Sequence, residues 1–184
     1  MAKRPTLADP SALKPSGGDD KVIRVVIETP KGSCNKYAFE AHDKVFVLKK
    51  VLPSGMAFPY DFGFIPSTLA DDGDPVDVLV LMDEPAFTGC VLERRPIGVI
   101  EGEQTNDKKT IRNDRIVAVE GDAHTYTALR HLDDLGKPFL RELEEFFVNY
   151  HGLSKTKYRI VDARGPKEAH RRIQAGIKRH RRKR

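Results

Sequence analysis

A chain of 184 residues has room for one domain with a proper core, because about 150 residues already bury some two-thirds of the surface that an unfolded chain exposes. No apolar run reaches signal-peptide or membrane-span length, which argues against a helical membrane protein and predicts a cytoplasmic one. The net charge of +5 is placed unevenly: residues 164–184 carry +9, which leaves −4 for the rest, so the body is acidic and attracts cations, or anions once cations are bound.

Residues 1–21 contain Pro5, Pro10 and Pro15, the pair Gly17-Gly18 and no sustained apolar pattern, so they read as a disordered N-terminal arm. Strands are predicted over 22–29, 36–40, 44–51, 77–81, 90–101 and 115–119, several of them alternating apolar with polar residues. Cys34 and Cys90 lie far apart and lack the CxxC or CxxH spacing of a zinc site; reduced thiols are the simplest reading and a single disulfide the alternative. Leu140, Leu143, Phe146, Phe147 and Tyr150 recur at helical spacing after Pro138, which suits a first helical turn, and they read as a core face. Pro166 opens a second helix with a narrow stripe of Ala169, Ile173 and Ile177 ahead of a basic run to Arg184. Short strands followed by helices, with no internal repeat, predict an α+β fold with a closed or nearly closed sheet. The layout is an arm over 1–21, a globular body over 22–163, and a basic helix and tail over 164–184.

Within the body, residues 71–107 hold ten acids against Arg94 and Arg95 alone. The densest part is Asp72-Gly73-Asp74-Pro75-Val76-Asp77. Gly and Pro force a tight turn there, and the β-branched run that follows has the pattern of a buried strand. Three carboxylates this close repel one another unless protons or a cation relieve them, and oxygen ligands suit hard Mg²⁺ or Mn²⁺ better than zinc. Asp-Gly and Asp-Pro are also the commonest punctuation of a plain solvated turn, so the turn alone leaves both readings open. Phosphoanhydride hydrolysis needs a nucleophile made from water at neutral pH and neutralised charge on both phosphates, and a cluster of divalent ions supplies both. Asp72, Asp74 and Asp77 have oxygens enough to hold two ions and leave one to take a proton from water, with lysines and arginines gripping the phosphate.

The string DGDPVDVLV over 72–80 resembles the signature of family I soluble inorganic pyrophosphatases. The similarity runs from about Val22 to Tyr158, with Val25-Val26-Ile27-Glu28, Lys36-Tyr37 and Gly63-Phe64-Ile65 in the family's order. The resemblance implies a small five-stranded OB-like β-barrel flanked by helices, and hydrolysis of inorganic pyrophosphate to two phosphates. It also implies Mg²⁺, with Mn²⁺ as the alternative, and a homo-oligomer, commonly a hexamer in bacterial members. By the same resemblance Asp72 and Asp77 are metal ligands, Asp77 being shared between two ions, and Asp74 accepts the proton of the attacking water. Glu28 matches a glutamate at or just behind the metals, Lys36 a phosphate-binding lysine, and Tyr150 a tyrosine that hydrogen-bonds phosphate.

Several positions depart from the family's pattern. Lys36-Tyr37-Ala38 replaces Lys-Tyr-Glu, so one outer carboxylate is missing unless Glu40 substitutes. Lys49 stands where the family has a phosphate-binding arginine, keeping the charge but losing the bidentate fork. Phe58 and Phe62 replace two tyrosines, and His151 replaces a lysine, with Lys155 and Lys157 as candidate replacements. Around the second acidic region the resemblance assigns two more metal carboxylates and a lysine. Glu103 and Asp114 are the candidate ligands and Arg115 the stand-in for the lysine; strict register would instead match the neutral Gln104 and Asn113. Two other readings stay open: a divergent phosphohydrolase for another small diphosphate, and an OB-like module making weak nucleic-acid contact through the basic tail. The body lacks a basic groove with interleaved aromatics, so the tail reads as a tether or a soluble end, and its removal after Gly165 is expected to leave turnover unchanged.

Overall fold

Residues 9–19, 21–107, 109–120, 124–153 and 156–183 are described by a computed structural model of the chain. Five strands close into a ring: β1 (Ile23–Thr29), β4 (Asp61–Ile65), β5 (Val76–Leu81), β8 (Arg115–Val119) and β6 (Val91–Asn106). β1 pairs antiparallel with β4, and β4 with β5; β5 runs parallel to β8; β8 and β6 are antiparallel, and β6 returns antiparallel to β1. This is the closed five-stranded, OB-like arrangement of an α+β fold, as expected. β2 (Asn35–Glu40) and β3 (Val45–Val51) form a separate hairpin, and β7 (Lys109–Arg112) and β9 (Lys157–Arg164) extend the sheet from the long β6.

The two-residue period of β5 sorts the core into two clusters. Val76, Val78 and Val80 join residues from all five ring strands in the inner cluster. Leu79 and Leu81 face the other way, onto Phe62, Val117 and the helix α1 (Gly136–Gly152). α1 buries Phe139, Leu143, Phe147 and His151, one residue per turn, while Leu140, Phe146 and Tyr150 of the predicted stripe flank it half-buried. The second helix, α2 (Pro166–Lys183), inserts Ala169 and Ile173 into the inner cluster, with Ile177 packed against it. That corrects the expectation of a dispensable tail: the first half of α2 is part of the barrel core.

The expected arm is also corrected over part of its length. Residues 1–8 lie outside the described residues, but Ser11 and Leu13 offer their carbonyls to Ser67, and the Arg24 amide donates to the Pro15 carbonyl at 2.8 Å. Both cysteines are free thiols. Among the described residues, no helix is long and apolar enough to cross a membrane.

The predicted strands are present with ends that agree to within a residue, except that β6 runs on to Asn106 and forms a hairpin with β7. β4, β7 and β9 were not predicted. β4 has a glycine at its centre because a Cβ at Gly63 would lie 2.1 Å from the Val26 carbonyl oxygen, so the β1–β4 approach requires Gly. Gly63→Ala is expected to cost about 1–3 kcal/mol by forcing these strands apart. Thermal unfolding checks this; an unchanged Tm would mean that the strands part freely.

Candidate active site

The acidic turn joins β4 to β5 and is built by its own backbone. The Thr68 hydroxyl donates to the Ile65 carbonyl at 2.6 Å and accepts from the Val76 amide at 2.9 Å, closing the base of the turn. The Ala70 amide donates to the Asp74 carbonyl at 2.7 Å, Gly73 turns with φ +98°, and the Asp74 amide donates to the Asp72 carboxylate at 3.1 Å. Asp77 is the second residue of β5, on the face that carries Leu79 and Leu81 toward α1. Its register partner on β8 is Arg115.

Burial pushes the Asp77 carboxyl up to about 7, with Glu28 and Asp72 adding to the rise and Arg115 and Lys36 opposing it. Burial also raises Asp72, and the neighbouring Asp74 charge adds to that. Glu28, at the end of β1, is held by the Phe39 amide at 2.8 Å and by the Lys36 ammonium at 3.0 Å. Lys36 in turn sits 4.2 Å above the centre of the Phe62 ring, so one of the phenylalanines that depart from the family's pattern is a platform for the lysine.

Arg115 is buried and enclosed by aromatic rings, its guanidinium 3.9 Å from the centre of Phe147 and 4.6 Å from that of Tyr158. It donates to the Asn113 carbonyl and to Nε2 of His151, at 3.3 Å each. Burial, helped by Arg115 and Lys50, drops His151 to about 3, so the imidazole is neutral and accepts from Arg115 at Nε2. The buried Arg115 Nε has no partner among the described residues. Tyr150 packs edge-on against Phe58; burial raises its phenol, while Arg115 lowers it and Asp77 and Glu28 raise it further, placing it within electrostatic reach of the same groups. Lys49 is exposed and paired with Glu40 at 2.7 Å, a pairing that raises its pKa, with smaller contributions from Glu28 and Asp74. Lys50 was not anticipated: its ammonium lies 4.5 Å above the Tyr150 ring and donates to the Tyr150 carbonyl at 3.3 Å.

Glu103 and Asp114 are not brought to this cluster. Asp114 shares a small cleft with Val76 and Ile116, on the face opposite Asp77, and ion-pairs with Arg112 at 3.1 Å and Arg172 at 3.5 Å. Glu103 pairs with Arg159 of β9 at 2.7 Å. Asn113 and Gln104, the strict-register alternatives, hydrogen-bond each other at 2.7 Å. Of the replacement lysines, Lys157 opens β9 and is exposed, and Lys155 lies outside the described residues.

Among the described residues, no three acid, imidazole or thiol side chains stand close enough to form a ready-made metal cage. The donor set nevertheless fits a hard divalent cation. Every donor is a carboxylate oxygen, and carboxyls whose pKa burial and neighbouring acids raise, Asp77 to about 7 and Asp72 in the same direction, are those a cation relieves. Lys36, Arg115 and Tyr150 around them are donors suited to the oxygens of a phosphate.

Comparison with known proteins identifies the family. The family model described as inorganic pyrophosphatase matches residues 25–181. An inorganic pyrophosphatase of Synechocystis is 46% identical over 140 residues, which cover 76% of this chain and 80% of the relative. That of Haloferax volcanii is 38% identical over 135 residues, 73% of this chain and 74% of the relative. The crystal structure of inorganic pyrophosphatase from Thermus thermophilus superposes with a TM-score of 0.86 at 30% identity, covering 95% of this chain and 99% of that one. The enzyme from Neisseria gonorrhoeae gives 0.82 at 34% identity, covering 92% and 96%.

Proposed function

Because the chain belongs to the inorganic pyrophosphatase family, it is a divalent-metal-dependent hydrolase that converts inorganic pyrophosphate to two phosphates, and we propose that the Asp72–Asp77 turn is where it does so. What carries the assignment is the burial of Asp77 within reach of the Asp72 and Glu28 charges, which pushes its carboxyl up to about 7 against the opposing pull of Arg115 and Lys36. Mg²⁺ is the proposed ion, with Mn²⁺ as the alternative, since every candidate donor is an oxygen.

Asp72 and Asp77 are the proposed metal carboxylates. Glu28, already fixed by Phe39 and Lys36, stands beside them as a third. Bound cations supply a lowered pKa for water and neutralise the phosphate oxygens. Asp74 projects from the exposed rim of the turn and accepts the proton of the attacking water. Lys36 on its Phe62 platform, Arg115 in its aromatic enclosure and the Tyr150 hydroxyl grip the phosphates, and Lys49 reaches in from the rim of the β2–β3 hairpin. Asp114 and Glu103 fall outside the proposed metal set because Asp114 faces the Ile116 side of β8, opposite Asp77, and Glu103 is turned to Arg159 of β9. A homo-oligomer, up to a hexamer, and a cytoplasmic location are proposed in keeping with the family; Leu48, Val51 and Phe87 are exposed apolar surface that association would cover.

Phosphate release from pyrophosphate with Mg²⁺ or Mn²⁺ tests the reading, beside a nucleoside triphosphate and a small organic diphosphate, each repeated with chelator. Fast, chelator-sensitive turnover of pyrophosphate alone is expected; preference for another substrate would contradict it. The sign of the pH dependence follows from Asp77. Below about 7 its carboxyl is protonated and a cation must displace the proton, so affinity should rise with pH by up to about tenfold per unit and level off above 7. Calorimetric cation titrations at several pH values check this, and a pH-independent affinity would remove Asp77 from the ligand set.

A further inference from the structure

The acidic turn is braced from outside by α2, across more than a hundred residues of sequence. The Leu69 amide donates to the Gly176 carbonyl at 3.1 Å, and Nε of Arg179 donates to the Leu69 carbonyl at 2.9 Å. The other arm of the same guanidinium pairs with the Asp71 carboxylate. Both backbone groups of Leu69 and the side chain of Asp71 are thus tied to one helical turn. α2 is itself anchored, by Ala169 and Ile173 in the inner cluster and by Arg172, which binds Glu101 at 2.7 Å. The helix also lies close against the turn: a Cβ at Gly176 would approach the Val76 side chain to 2.8 Å.

These ties hold one leg of the loop whose other leg carries the candidate ligands. The Ala70 amide reaches across to the Asp74 carbonyl, and Asp72 follows Asp71 directly. Fixing Leu69 and Asp71 therefore fixes the backbone from which Asp72 and Asp74 project. We infer that Arg179 is a positioning residue for the cation site, holding the turn in the conformation that brings the Asp72 and Asp77 carboxylates to bear on one ion. The inference rests on the assignment of the cation site to this turn. Arg179 acts through charge-assisted bonds to a carbonyl and a carboxylate, which methionine cannot make and lysine makes without the fork.

The test is Mn²⁺ and Mg²⁺ titration of the full chain by calorimetry, followed by steady-state kinetics at limiting and saturating cation. Arg179→Met should raise the cation Kd about tenfold, the lower end of what outer partners of metal ligands contribute. It should lower kcat at limiting cation, restore most of it at saturation, and leave the KM for pyrophosphate unchanged. Arg179→Lys should fall between Met and wild type. Asp71→Asn, which leaves the helix untouched, should weaken cation binding in the same direction but less, because the bond to the Leu69 carbonyl remains. Arg182→Ala, at an exposed position on the same helix, should match wild type. Wild-type cation affinity in Arg179→Met overturns the inference, as does an equal loss in Arg182→Ala, which would make the effect one of net charge. If instead Asp77→Asn binds cations as wild type does, the assignment of the site itself fails.

Discussion

Asp74→Asn is expected to lower turnover of pyrophosphate by a factor of about 10² to 10⁴, the range for loss of a general base. The amide is isosteric, so the turn should survive: the bonds that shape it use the Asp74 backbone, whose amide donates to Asp72 and whose carbonyl accepts from Ala70. What disappears is the carboxylate oxygen that takes the proton from water. The loss should appear in kcat at saturating cation, with cation affinity reduced far less because Asp72 and Asp77 remain. Phosphate-release kinetics beside a calorimetric titration separate the two. Retained turnover would take Asp74 out of the mechanism, and a variant that no longer binds cations would recast it as a ligand.

Deleting residues 166–184 is expected to abolish the folded state, where the sequence alone suggested a silent truncation. The deletion removes Ala169 and Ile173 from the inner cluster and uncovers the barrel residues they pack on. Losing a buried isoleucine alone costs about 2–5 kcal/mol. It also takes Arg172 from Glu101 and Asp114, leaving the two partly buried carboxylates to share Arg112 alone, which adds to the cost. The sum is comparable with the net stability of about 5–15 kcal/mol typical of a domain. Circular dichroism and thermal unfolding of the truncated chain read this directly; a cooperative transition near that of the full chain, with turnover retained, would contradict it. Ending the chain after Arg179 should be tolerated, because the residues beyond lie outside the core.

Local periodicity carried much of the architecture. The strands that became β1, β2, β3, β5 and β8 are marked by alternation or β-branched runs, and Ala169 and Ile173 by helical spacing. β4 escaped because Asp61 and Gly63 interrupt its apolar run, although both serve the fold. Asp61 is buried and accepts from the amides of Lys31 and Ala86, at 2.8 and 3.1 Å. β7 is only four residues and mostly polar. β9 alternates Tyr158 and Ile160 with charged residues, a local strand signal over a short span.

The candidate site divides in the same way. The turn from Asp72 to Asp77 is local and legible. The charge of Asp114 and Glu103 makes them candidates, but charge does not report which way a side chain faces. Asp114 lies on the Ile116 side of β8, toward Arg172, and a one-residue step along a strand exchanges one face for the other. The platform under Lys36, the enclosure of Arg115 and the tie from Arg179 to Leu69 depend on contacts across long separations, which no sequence window contains.

Soaking crystals with Mn²⁺ and phosphate and locating the ions by anomalous scattering tests the account most directly. The predicted result is density between the Asp72 and Asp77 carboxylates, with phosphate on Lys36, Arg115 and Tyr150. Ions bound instead at Asp114 and Glu101, with the Asp72–Asp77 turn empty, would contradict it.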